Sequence, residues 1–145
     1  MKAINEIKVQ FPSKSVNEGF ARAVVSSFAA QLDPTIDELA DIKTAVSEGV
    51  TNAIVHGYRR ESGIITITAR LYEDRRIQLT IRDRGCGIAD VHKAMEPCYT
   101  TAPEEERSGM GFTIMQTFMD KLRVTSKPGW GTRVVMEKYI GKREN

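Results

Sequence analysis

Two runs, Gly63 to Leu71 and Ile77 to Arg82, alternate apolar with polar residues and are joined by the charged segment Glu73-Asp74-Arg75-Arg76. Alternation at period two puts every second side chain on one face of a strand, so the pair predicts an antiparallel hairpin with one apolar and one polar face. A sheet of that kind needs a covering layer on its apolar side only.

Segments with helical periodicity supply that layer. Glu6 to Phe11 reads as a first strand, with Ile7, Val9 and Phe11 on one face and Pro12 closing it. Ser15-Val16-Asn17-Glu18 fits a capping box and predicts a helix to about Leu32. Thr35-Ile36-Asp37-Glu38 repeats the signal, and the spacing of Ile36, Leu39, Ala40, Ile42, Val46, Val50 and Ile54 predicts a long second helix ending at Gly57. Residues 83–108 hold no sustained period, contain Gly85, Gly87, Pro97 and Pro103, and allow one short helix near Ala89 to Met95. Loops of such length are usually functional. Beyond Gly109-Met110-Gly111, the residues Phe112, Ile114, Met115, Phe118 and Met119 keep helical spacing; Leu122–Ser126 and Thr132–Tyr139 then read as strands around Pro128-Gly129. The order predicts an α/β two-layer sandwich, one domain over residues 1–145, with helices on one sheet face.

Composition removes several function classes. The 145 residues are 41% hydrophobic and 28% charged, which suits a globular protein. No segment is long and apolar enough to span a bilayer and the start lacks a signal-peptide core, so a cytoplasmic protein with no membrane partner is expected. Cys86 and Cys98, with His56 and His92, form no zinc spacing, which leaves reduced, non-ligand thiols. The 21 basic residues are scattered among 19 acidic ones for a net charge of +2, so no direct nucleic-acid partner is expected.

Three constellations carry chemistry. Glu48, Asn52 and His56 lie four apart and stack on one stripe of a largely apolar helix. Carboxylate and carboxamide oxygens suit Mg²⁺, and a free carboxylate beside the ion could accept a hydroxyl proton; a solvated polar stripe fits the same spacing. Asp83 continues the inward row of Ile77, Leu79 and Ile81, where a carboxylate needs a donor such as the exocyclic amine of adenine. Gly85 and Gly87 beside it suit close backbone approach to a ligand, or an ordinary strand-to-loop turn. Ser108-Gly109-Met110-Gly111-Phe112 stands directly before a helix, where free amides and the dipole favour a phosphate; a flexible turn is the alternative. Arg107 could reach a terminal phosphate or pair with Glu104, Glu105 or Glu106. His56 suits a helix-end role, and Met110, Met115 and Met119 suit core filling. Neither a Walker loop nor the H-R-D and D-F-G signatures occur, so any ATP is held in another way.

In this order, Glu48-x-x-x-Asn52, Asp83-x-Gly85-x-Gly87-Ile88, Gly109-x-Gly111-Phe112 and Gly131-Thr132 resemble the N, G1, G2 and G3 boxes of the GHKL superfamily. That resemblance implies the Bergerat fold with a mixed, mainly antiparallel sheet. Within the superfamily the chain is most similar to the anti-sigma F factors of spore-forming bacteria, through Val46 to Tyr58, Glu106 to Met115, and Phe20-Ala21-Arg22. The likeness implies that Asn52 ligates Mg²⁺, that Glu48 is the catalytic base, and that Asp83 and Thr132 contact adenine. It implies further nucleotide contacts from Gly85, Gly87 and Ile88, from Thr100, Arg107 and Ser108, and from Gly109, Met110, Gly111 and Phe112. Residues from about 95 to 108 become an ATP lid. Members of that family bind a sigma factor as homodimers during sporulation and phosphorylate a serine of an anti-anti-sigma protein, which makes Arg22 a candidate partner contact. The alternatives are a stress-response anti-sigma kinase, an ATP-gated sigma-binding module without kinase activity, and, least favoured, the phosphotransfer half of a sensor histidine kinase. Gly49 stands where Ala is commoner, at a helix-propensity cost of up to about 1 kcal/mol, and Cys86 is an unusual but compatible filler in the G1 box.

Overall fold

The computed structural model describes residues 1–96 and 111–141. Its elements run β1 (Ala3–Pro12), α1 (Asn17–Ala29), α2 (Ile36–Asn52), β2 (Ile64–Tyr72), β3 (Arg76–Asp83), α3 (Val91–Ala94), α4 (Gly111–Phe118), β4 (Lys121–Lys127) and β5 (Gly131–Tyr139). The strands form one five-stranded sheet in the order β1-β2-β3-β5-β4. Every neighbouring pair is antiparallel, so within the described strands the expected mainly antiparallel sheet is wholly antiparallel.

The alternation read from the sequence is what orients the sheet. Ile65, Ile67, Ala69 and Leu71 of β2 and Ile77, Leu79 and Ile81 of β3 are all at most 2% exposed, and the residues that alternate with them are only half-buried. Burying each such side chain contributes roughly 1.5–3 kcal/mol. α2 lies centrally in the helical layer, packed between α1 and α4, and buries Ile42, Val46 and Val50. Met115 and Met119 are buried in the core, as their spacing predicted. Ile36 is 88% exposed, because it opens α2 at a point where the helix has not yet met the sheet.

Of the two expected capping boxes, one forms. Glu38 N donates to Thr35 Oγ1 at 3.0 Å and Thr35 N to Glu38 Oε1 at 2.8 Å. At α1 the capping residue is Val16, with no side-chain cap, and Ser15 contributes only its backbone carbonyl to Glu18 N. Asn17 ties the start of α1 down instead, donating from Nδ2 to Pro12 O at 2.9 Å. The second helix also departs from its expected regularity: the α-helix stops at Asn52, and Ala53–Gly57 form a π-helical turn. Arg75, in the left-handed region (φ 66°), closes the β2–β3 turn; its side chain reaches Leu32 O and Ile140 O and pins both chain segments to the sheet end.

Candidate functional site

β3 and β5 run side by side so that Asp83 stands opposite Thr132. Both point toward the helical layer and both are buried, at 5% and 7% exposure. Ser126 on β4, the register partner of Thr132, completes a polar row: its Oγ lies 2.8 Å from Thr132 Oγ1 and accepts from Ile88 N at 2.7 Å. That last bond fastens the loop after β3 to the sheet. Ser126 escaped the sequence reading, although a hydroxyl continuing the inward row of Leu122 and Val124 was the available signal.

Burial holds the Asp83 carboxyl above its usual range; the Gly85 N–H, neighbouring Arg82 and the Thr132 backbone pull in the opposite direction without cancelling it. Gly85 N donates to Asp83 Oδ1 at 2.9 Å. A buried carboxylate so placed gains from one more donor on its open side.

Glycines make the approach of loop to helix possible. A Cβ on Gly85 would overlap the Gly57 carbonyl, and one on Gly87, which has φ 80°, would overlap Lys127 O. Cys86 N donates to Gly57 O at 2.8 Å, and the free Cys86 thiol to His56 O at 3.2 Å. Tyr58 bridges further, accepting from Arg84 N at 2.8 Å and donating to Ile64 O at 2.6 Å. The π-helical turn thus presents its last carbonyls to the loop that follows β3, which a regular α-helix end would have directed along its own axis.

Between α2, α4 and this sheet end lies a cavity of about 460 Å³. Asn52, His56, Asp83 and Thr132 supply polar wall; Ile88, Met95, Phe112 and Val134 supply apolar wall. Gly87 and Gly111 line it as well. At Gly111, the first residue of α4, a methyl group would sit 3.1 Å from Asn52 Oδ1 and 3.3 Å from Glu48 Oε2, so both side chains face the start of that helix. Glu48 is half-buried just outside the cavity wall. Gly49 lines the cavity where α2 closes on β3: a Cβ there would overlap the end of the Ile81 side chain, a packing reason for the glycine that helix propensity concealed.

The described residues therefore bring Asn52, Asp83, Gly87, Ile88, Gly111, Phe112 and Thr132 to one cavity, with Glu48 and Gly85 directly behind it. Arg22 is elsewhere, on α1 in a shallow groove with Leu39 and Lys43, paired with Glu18 at 3.3 Å. Thr100, Arg107, Ser108, Gly109 and Met110, and the lid residues from 97 to 108, lie outside the described residues. Among the described residues no cluster of metal-ligating His, Cys, Asp and Glu side chains forms, and no helix is long and apolar enough to cross a membrane.

Sequence reasoning also missed a clamp on the opposite side of Asp83. The Arg82 guanidinium stacks 3.8 Å above the Trp130 ring, donates to Trp130 O at 3.2 Å and donates to Asp83 O. It joins the end of β3 to the start of β5.

Residues 11–138 match the family model described as the histidine kinase-like ATPase domain. The chain is 61% identical to the anti-sigma F factor of Caldanaerobacter subterraneus subsp. tengcongensis, over 98% of this chain and 99% of that one. It is 52% identical to the anti-sigma F factor of Clostridium acetobutylicum, over 97% and 98%. Among solved structures, the RsbU and RsbW domains of a Mycobacterium tuberculosis protein align at a TM-score of 0.67 and 19% identity, covering 94% of this chain and 32% of theirs. Full-length ShkA in complex with AMPPNP aligns at 0.58 and 17% identity, over 99% of this chain and 33% of that one. The chain belongs to the histidine kinase-like ATPase family, alongside the anti-sigma F factors.

Proposed function

We propose that the chain is an anti-sigma factor and protein-serine kinase, a single domain over residues 1–145 that takes Mg-ATP as substrate and transfers its terminal phosphoryl group to a serine of an anti-anti-sigma protein. One observation carries the nucleotide assignment: the buried carboxylate of Asp83 and the side chain of Asn52, with Glu48 beside it, face one cavity that also reaches the start of α4. Adenine suits the Asp83 end, where its exocyclic amine would donate to the carboxylate beside Thr132, with Gly85, Gly87 and Ile88 shaping the loop around it. The phosphates suit the other end, at the amides of Gly111 and Phe112 and the preceding residues Arg107, Ser108, Gly109 and Met110, with Thr100 in the lid.

Asn52 offers Mg²⁺ a hard oxygen ligand, and the ion would neutralise phosphate charge. Glu48, beside Asn52, takes the proton from the incoming serine hydroxyl as its oxygen bonds to the γ-phosphorus and the bond to ADP breaks; such base catalysis contributes about 10²–10⁴-fold. The sigma factor is the second partner, Arg22 on α1 is a contact for the partners, and the working unit is a homodimer in the cytoplasm of a sporulating cell. The name of the relatives supports a sigma factor as partner, and the AMPPNP complex of a fold neighbour supports a nucleotide ligand.

The test uses γ-labelled ATP with candidate anti-anti-sigma proteins. Glu48→Gln should keep ATP binding and lose label transfer; transfer at the parental rate would remove Glu48 as the base.

A further inference from the structure

Along the chain the 21 basic and 19 acidic residues interleave, but strand register sorts them. Alternate residues of each strand point away from the helices. On β1 that open face carries Glu6 and Lys8; on β2 and β3 it carries Arg70, Arg76 and Arg82. On β5 it carries Arg133 and Glu137, and on β4 Lys121, Arg123 and Lys127. Eight basic and two acidic residues thus share one face, an excess of six positive charges where the whole chain has +2.

Both carboxylates are already engaged. Glu6 Oε1 accepts from Arg70 Nε at 2.6 Å, and Glu137 Oε2 from Arg76 Nη1 at 3.0 Å and Gln78 Nε2 at 2.8 Å. Among the described residues, no carboxylate lies within ion-pairing distance of Lys8, Arg123, Lys127 or Arg133. Arg123 and Arg133 are exposed diagonal neighbours on β4 and β5, one through Val135 and the other through Thr125. Arg82 is held below its usual value, first by burial and then by Arg84, with Asp83 and Tyr58 opposing and Arg133 adding to the shift. Like charges crowded without counter-charges repel, and an anionic partner relieves that repulsion.

We propose that the open face of β3, β5 and β4 is a docking surface for an acidic polypeptide segment of a protein partner. A second copy of the chain is a poor occupant, because a two-fold contact would set the same positive face against itself. Single-stranded nucleic acid needs free aromatic rings on which bases stack. Here Arg82 covers Trp130 at 3.8 Å and Arg76 covers Tyr72 at 4.1 Å, so that among the described rings only Tyr139, at the far end of β5, remains on this face, too few for successive bases to stack. Membrane surfaces need apolar side chains that insert among the lipids; the apolar residue at the centre of this patch, Val135, is half-buried between strands. Carboxylates reached by long arginine and lysine side chains, with Thr80 and Thr125 as hydroxyl partners, fit what remains.

The test measures fluorescence anisotropy of a labelled oligoglutamate peptide with the full chain at about 50 mM salt, where surface charges are least screened. Arg123→Glu/Arg133→Glu should weaken binding at least about tenfold, and Arg123→Gln/Arg133→Gln by a smaller factor. Lys2→Glu/Lys14→Glu, with the same change in net charge at the far sheet edge, should change it less than about twofold. Circular dichroism checks that all variants fold. Absence of peptide binding, equal loss in both charge-reversal variants, or unchanged binding by the Gln variant would overturn the proposal. So would tighter binding of oligothymidylate or of phosphatidylglycerol vesicles lost in Arg123→Glu/Arg133→Glu.

Discussion

The missing side chain of Gly57 is what gives the Asp83 carboxylate its place: a methyl group at Gly57 would lie 2.8 Å from Asp83 Oδ1 and 3.0 Å from Oδ2. The end of the π-helical turn and the end of β3 can meet only because one of them carries no Cβ. Gly57→Ala must therefore displace the carboxylate or open the helix from the sheet. Overpacking of this kind costs about 1–3 kcal/mol. Thermal unfolding should register that loss, and ATP affinity should fall at least about tenfold, since the acceptor moves; unchanged affinity would detach Asp83 from the ligand.

Burial raises the Asp83 pKa, which fixes two opposite pH trends. Between the ordinary carboxylate range and the raised native value, the folded protein holds a proton that the unfolded chain has lost. For this group, stability therefore rises as pH falls through that window. Binding of the base follows the other sign, because the protonated carboxyl accepts less well. Adenosine, which has no titrating phosphate, should lose affinity as pH drops from about 7 into the weakly acidic range, above the ordinary Asp value. Affinity that stays flat down to the ordinary range would separate the carboxylate from the base.

Much of the architecture was legible because it rests on periodicity. Alternation in β2 and β3 fixed the buried face, and the inward row ending at Asp83 identified a carboxylate that the structure indeed buries. Thr35 and Glu38 signalled a real capping box, whereas Ser15 and Glu18 carried the same pattern without forming one, since Asn17 anchors α1 to Pro12. The π-helical turn at Ala53–Gly57 was hidden, because its register is imposed by contact with the loop after β3 and not by local preference. The basic face was hidden for a related reason: charges scattered in sequence become neighbours only once the strands are paired.

The surviving capping box offers a simple stability check. Thr35→Ala removes the acceptor for Glu38 N and should cost about 0.5–2 kcal/mol. Denaturant unfolding measures it, and the slope of free energy against denaturant should stay unchanged.

Arg82 and Trp130 predict a graded effect at the site. Arg82→Ala frees the carbonyls of Asp83 and Trp130 and removes the stack on Trp130, so ATP affinity should fall several-fold, within roughly 1–2 kcal/mol. Arg82→Lys keeps a cation over the ring but loses the planar fork, and should fall between the two. Equal affinities in all three proteins would make the clamp irrelevant to the ligand.

The central claim, that the cavity holds ATP with its base on Asp83, is tested most directly by titrating Mg-ATP into the parent and Asp83→Asn proteins in a calorimeter. Removing a charged hydrogen-bond acceptor costs about 1.5–3 kcal/mol, so the account predicts one Mg-ATP bound per parent chain and an affinity lower by about 10- to 100-fold in the variant, with both proteins folded. Equal affinities for the two proteins would contradict it.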